Sequence, residues 1–133
     1  MAGPYPISKF ALGERKRELE RELKWHGFSC EVIQEPDMTV LRCVPNMRLR
    51  EKGISRMDIG LSEVEDLVSI ELDTPPSIRV RPSEIKEIAK KALHPETYGN
   101  LHILPLNRTV IEFWGPDAQK SAKDLIRKLL ERL

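Results

Sequence analysis

The sequence predicts an α+β domain, a two-layer sandwich in which a mostly antiparallel sheet carries about three helices packed largely on one face. Three observations point there. Stretches whose apolar residues recur at helical spacing stand near both ends and once in the middle. Between them run residues that alternate apolar and polar and are bounded by Pro, Gly, Asn and Asp. At 133 residues the chain has room for one core. Residues 1–133 are therefore read as a single domain, with residues 1–7, which hold Pro4 and Pro6, as an extended arm.

The elements follow in order. From about Ser8 or Gly13 to His26 the composition turns to strong helix formers, with Leu12, Leu19 and Leu23 near one face and charged residues around them. Gly27 is placed to end this helix in a left-handed cap. Phe28, Cys30 and Val32 then alternate with other residues, Glu35, Pro36 and Asp37 make a turn, and Met38 to Val44 is rich in β-formers, so a hairpin is expected. If Pro36 and Asp37 are the loop, Glu35 faces Met38 and Cys30 falls opposite Cys43. Pro36 cannot take the positive φ that the favoured two-residue turns need at their first position, which leaves a longer loop or a bulge as alternatives. In a chain read as intracellular, two cysteines are expected to be reduced, buried thiols that approach each other.

Residues 45–56 carry Pro45, Asn46 and Gly53 with little periodicity and read as a loop. Met57, Ile59 and Leu61 alternate as a strand. Residues 63–72 fit two patterns, a helix that Ser62 and Glu65 would cap or a strand through Val68, Ile70 and Leu72; a short turn followed by a strand is preferred. Pro75 and Pro76 stop it, and Ile78 to Arg81 reads as extended. Ser83 can cap a helix with Ile85, Ile88, Ala89 and Ala92 on one face, ending near His94. Leu101, Ile103 and Leu104 lead into a second hairpin that turns near Pro105, Leu106 and Asn107 and returns through Thr109 to Trp114. Pro116 opens a last helix with a wide stripe of Ala118, Ala122, Leu125, Ile126, Leu129, Leu130 and Leu133.

Composition and motifs restrict function. A formal charge of +1, from 22 basic and 21 acidic residues, provides no global field for polyanions or acidic membranes. No apolar run approaches the roughly eighteen residues of a membrane span, so a soluble, cytoplasmic chain is expected. Gln and Asn are scarce beside Glu, Arg and Lys, a bias of heat-adapted proteins. His26, His94 and His102 stand apart, with no nucleophile–base spacing, no paired metal ligands and no phosphate-cradling glycine loop. Neither catalysis nor a cofactor nor a metal is expected.

Charge does come in blocks. Between Met57 and Pro76 lie Asp58, Glu63, Glu65, Asp66, Glu71 and Asp73 without a Lys or Arg, which reads as a solvated acidic edge. The preceding segment holds Arg42, Arg48, Arg50, Lys52 and Arg56 against Glu51. As loop cations, Arg48, Arg50, Lys52 and Arg56 would face an anionic partner surface. No aromatic residue lies among them to stack a base, so RNA or DNA on the basic loop 42–56 ranks second. A small sheet need not cover the whole apolar stripe of the last helix, which would leave Leu129, Leu130 and Leu133 for apolar contact. The expected function is a non-enzymatic binding or assembly module, a protein–protein interaction subunit or small homo-oligomer, with nucleic-acid binding as the alternative.

Overall fold

The computed structural model describes residues 9–73, 81–105 and 107–132. Its elements run α1 (Lys9–Trp25), β1 (Ser29–Glu35), β2 (Met38–Val44), α2 (Met47–Glu51), β3 (Met57–Ser62), β4 (Leu67–Asp73), α3 (Pro82–Ala92), β5 (Tyr98–Leu104), β6 (Arg108–Trp114) and α4 (Ala118–Arg132). The six strands form one sheet in the order β1-β2-β3-β4-β6-β5, and every neighbouring pair is antiparallel. The expected α+β class is what is found. The arm at residues 1–7, the extended reading of residues 78–80, Leu106 and Leu133 lie outside the described residues.

Alternate residues of neighbouring strands line up along the register, and Leu41, Ile59, Ile70 and Ile111 form one fully buried row. Three helices close over that face: α1 against β1 and β2, α4 against β4 and β6, and α3 against β5, with α4 also touching both other helices. Leu19, Leu23, Ile85, Ile88, Leu125 and Leu129 supply the helical side of the core.

Local chemistry explains the boundaries. Past α1 the chain adopts a Schellman cap: Gly27 takes φ 84°, its N–H donates to Lys24 O, and Phe28 N–H donates to Leu23 O. Leu23 and Phe28, brought together by that cap, are both in the core. In the first hairpin Asp37 takes φ 60° after Pro36. Proline first and positive φ second is the order of a type II turn, which resolves the objection that Pro36 raised and keeps the two-residue loop. Cys30 does stand opposite Cys43. In the second hairpin Leu104 pairs with Arg108, and Asn107 takes φ 58° just before the return strand.

The structure corrects four expectations. Residues 47–51 are a helix and not loop, because Asn46 caps it through Leu49 N–H at 3.1 Å and Gly53, at φ 95°, ends it in a second Schellman cap anchored by buried Leu49 and Ile54. Among the described residues the total is thus four helices where about three were expected. Helix α3 begins at Pro82, whose missing N–H is no loss in a first turn, with Arg81 and not Ser83 as its N-cap, and it ends at Ala92. The cysteines are not free thiols, since Cys30 and Cys43 are joined by a disulfide.

Candidate functional site

An open cleft of about 550 Å³ lies where three helix ends meet, lined by Glu22, Trp25, His26, Asn46, Arg48, Arg127, Leu130 and Glu131. Helix α1 contributes its last turn, α2 its N-cap and first turn, and α4 its last turn. Asn46 ties two of them together. Its amide Nδ2 donates to His26 O at 3.1 Å while its Oδ1 accepts from Leu49 N–H at 3.1 Å. Arg48 ties in the third, with Nη2 donating to Leu130 O at 3.4 Å in the last turn of α4. A guanidinium is apt there, since the open carbonyls at a helix C-terminus carry partial negative charge.

Across the cleft floor, Arg127 donates from Nε to the nearly buried Glu22 carboxylate. That bond holds the Glu22 carboxyl below its ordinary 4.5, against the opposing effect of burial, and raises Arg127 in turn. His26 Nε2 lies 3.8 Å from Glu22 Oε1, too long for a hydrogen bond. One turn back, Lys123 and Gln119 donate to Glu18 and hold its carboxyl low as well, so α1 and α4 are fastened by two neighbouring charge-assisted contacts.

Two large apolar side chains at or next to the cleft are exposed. Trp25 is 84% exposed, and Met47, between the cleft residues Asn46 and Arg48, is 65% exposed. Most tryptophans are largely buried, so a nearly bare one beside fixed cations marks a surface suited to contact.

The expected site residues divide. Arg48 enters the cleft, Arg50 is exposed on α2, and Lys52 is the C-cap of α2. Arg48 and Arg50 are two apart on a helix and do not share a face. Arg56 belongs to a different region, on the side of the sheet away from the helices, where its Nε lies 3.4 Å from Asp58 Oδ2 and Arg42 approaches the other oxygen at 3.7 Å. Burial pushes the Asp58 carboxyl above its ordinary 3.8 in spite of both arginines. The four cations therefore do not form one patch.

Leu129 and Leu130 are not a contact surface. They are 0% and 8% exposed, inside the core. The sheet has six strands, and α1 and α3 flank α4 on either side, so the wide stripe is covered from three directions. The acidic block is not a solvated edge either. Asp66 pairs with Arg15, Glu71 and Asp73 meet Arg108, Asp73 also accepts from Ser55 Oγ at 2.6 Å, and Glu63 accepts from Thr39 Oγ1 at 3.0 Å. His94 and His102 contact Asp124 and Glu112, each at 2.7 Å. Among the described residues, no group of three His, Cys, Asp or Glu side chains is placed to hold a metal ion.

Sequence reasoning passed over Trp25, Met47 and Arg127. A signal existed for the first: Trp25 falls on the side of its helix away from the Leu19–Leu23 seam, where a large aromatic has no core to enter. Comparison with known proteins brings no identification, since no family model, no curated protein and no solved structure matches the chain.

Proposed function

We propose that this chain is a non-enzymatic binding module that docks a segment of a partner protein in the cleft between α1, α2 and α4. The observation that carries the reading is the 84% exposed Trp25 at the rim of a cleft whose walls are locked together through Asn46 and Arg48. Tryptophan and arginine are over-represented in the energetic centres of protein interfaces, and methionine is enriched in interfaces at large. Hydrogen bonding fixes the walls in advance, so little order has to be created on binding. The fitting partner offers an apolar side chain to Trp25 and Met47 and a carboxylate or carbonyl to Arg48, which keeps donors beyond the one used on Leu130.

A nucleic acid is the second reading, favoured by one observation: folding brings an exposed aromatic, Trp25, beside Arg48, a pairing suited to stacking a base and holding its phosphate. It ranks second because Glu22 and Glu131 line the same cleft, two helix C-termini point into it, and Arg56 is engaged by Asp58 elsewhere.

The test is affinity purification from the source cell with half the sample nuclease-treated, using the native chain, Trp25→Ala and Arg48→Ala. A protein retained by the native chain after nuclease, and lost from both folded variants, supports the reading. Retention by both variants sinks it, and nuclease-sensitive capture together with salt-dependent binding of mixed-sequence oligonucleotides moves the assignment to nucleic acid.

A further inference from the structure

The two edges of the sheet are built differently. On β1 the chain places Glu31 and Glu35, and Pro36 follows at once, the usual devices that keep an edge from pairing with another strand. On β5 the run Tyr-Gly-Asn-Leu-His-Ile-Leu has no Lys, Arg, Asp, Glu or Pro. Its register with β6 is unbroken from Tyr98 to Leu104, so no bulge twists it away. His102 is held by Glu112. Among the described residues β5 pairs on one side only, which leaves a row of backbone donors and acceptors along its other side. Tyr98 and Ile103 on this strand are each 66% exposed.

We infer that β5 is a dimerisation edge, which pairs antiparallel with β5 of a second copy about a two-fold axis through Leu101. This centring engages all seven residues and is self-complementary. Tyr98 faces Leu104 of the second copy, Asn100 faces His102, Leu101 faces itself, and Ile103 faces Gly99. The last match is specific. Gly99, Leu101 and Ile103 lie on the helix-covered side of the strand, as their partners Phe113, Ile111 and Thr109 do. Beside Gly99 is a cavity of about 140 Å³, lined also by Ala89, Leu93 and Ile111. The exposed Ile103 of one copy thus meets the other copy where Leu93, itself part exposed, stands over Gly99, an apolar contact made twice per dimer.

Closure follows from the same asymmetry. Using β5 in both copies consumes both unprotected edges and leaves the two charged β1 edges outermost, so assembly stops at two. Lys86 and Lys90 also line the cavity; Lys90 lies 3.6 Å from Glu87, while the Lys86 side chains of the two copies bring like charges toward the axis. Added salt screens them and tightens the dimer. This edge shares no residue with the α1–α2–α4 cleft, so the inference stands or falls independently of the binding reading.

The experiment measures mass in solution by sedimentation or light scattering across micromolar concentrations, with the native disulfide intact. The native chain gives twice the 15.3 kDa chain mass. Ile103→Lys puts a charge against Gly99 of the other copy and weakens the dimer on the order of a hundredfold or more, while circular dichroism stays native because Ile103 is exposed in the single chain. Leu101→Cys, the self-facing position, forms an interchain disulfide under mild oxidation, whereas Ile103→Cys does not. A native chain that stays monomeric at about 100 µM overturns the inference. So does a dimer that survives Ile103→Lys, and so does one in which Ile103→Cys crosslinks and Leu101→Cys does not.

Discussion

Reduction of the Cys30–Cys43 disulfide is expected to lower stability by about 3 kcal/mol without changing the fold. The bond spans a sequence separation of 13. Closing a loop of about that length removes roughly 10 cal/mol/K of entropy from the unfolded chain, which is about 3 kcal/mol at 25 °C. For a chain of 133 residues, total stability runs to roughly 7–20 kcal/mol. The loss is therefore a large fraction and corresponds to a melting point lower by roughly 10 °C. The native state keeps its shape, because the full β1–β2 ladder and the type II turn hold the cysteines opposite each other without the bond. Urea unfolding of the protein with and without a phosphine reductant measures the difference, and hydrogen exchange along β1 locates it. Freshly purified protein with two titratable thiols would refute the premise. Equal midpoints for the two forms would refute the loop-entropy reasoning. In a reducing cytoplasm such a bond is uncommon, the known exception being heat-adapted organisms, whose compositional bias this sequence shares.

Leu129→Ala removes a fully buried side chain and should cost about 2–5 kcal/mol in denaturant unfolding, while a loss below about 1 kcal/mol would return this residue to the surface. Asn46→Ala deletes both the cap of α2 and the link to His26 O and should cost about 1 kcal/mol, with weakened capture of the cleft's partner; unchanged capture would show that the weld is irrelevant to binding. Gly115→Ala meets φ 119° and a Cβ only 2.5 Å from Glu96 O, so a loss of about 1–3 kcal/mol is expected in the same assay, and a neutral result would contradict the tight approach. Glu18 and Glu22 titrate below their ordinary 4.5 in the folded chain, so the stability they confer is present above that pH and is lost as pH falls through their lower folded values; Asp58, raised above 3.8, contributes in the opposite direction. Stability should therefore decline below about pH 5, less steeply in Glu22→Gln, and an unaltered slope in that variant would remove Glu22 from the acid transition.

Periodicity was enough for the sheet and the long helices, because those elements depend on which residues must be hidden. The strand through Leu67 and Asp73 was ambiguous in sequence for a definite reason: Ser62 Oγ accepts from both Val64 and Glu65 N–H, the local signature of a helix start, yet the chain bends there and Val68 and Ile70 enter the sheet. Helix α2 was missed because a helix this short shows no period, although the cap at Asn46 and the glycine at 53 were both visible. The cleft was legible only in fragments. Trp25, Asn46 and Arg127 are far apart in sequence, and nothing short of the packing of α4 between α1 and α3 places them together. The same packing turned Leu129 and Leu130 from an interface into core.

Charge shows how the fold selects the surface that remains for a partner. In sequence a basic block precedes an acidic one and the totals cancel. Antiparallel pairing sets part of one against the other, with Arg42 opposite Asp58 in the β2–β3 register; the like-charged Asp58 and Glu71 face each other in β3–β4, and Asp73 lies opposite Arg108 in β4–β6. Those carboxylates are engaged across strands by Arg42 and Arg108 and from just ahead of β3 by Arg56, and Asp66 by Arg15 from α1. Arg48 is withdrawn from this cancellation. It sits on the five-residue helix that Asn46 starts and Gly53 ends, outside the sheet, and its guanidinium is aimed at the carbonyl end of α4. The short helix between β2 and β3 thus lifts Arg48 and Arg50 out of the sheet and sets Arg48 beside the exposed Trp25. Electrostatic selectivity in the cleft therefore rests on Arg48 more than on the net charge of the segment that contains it.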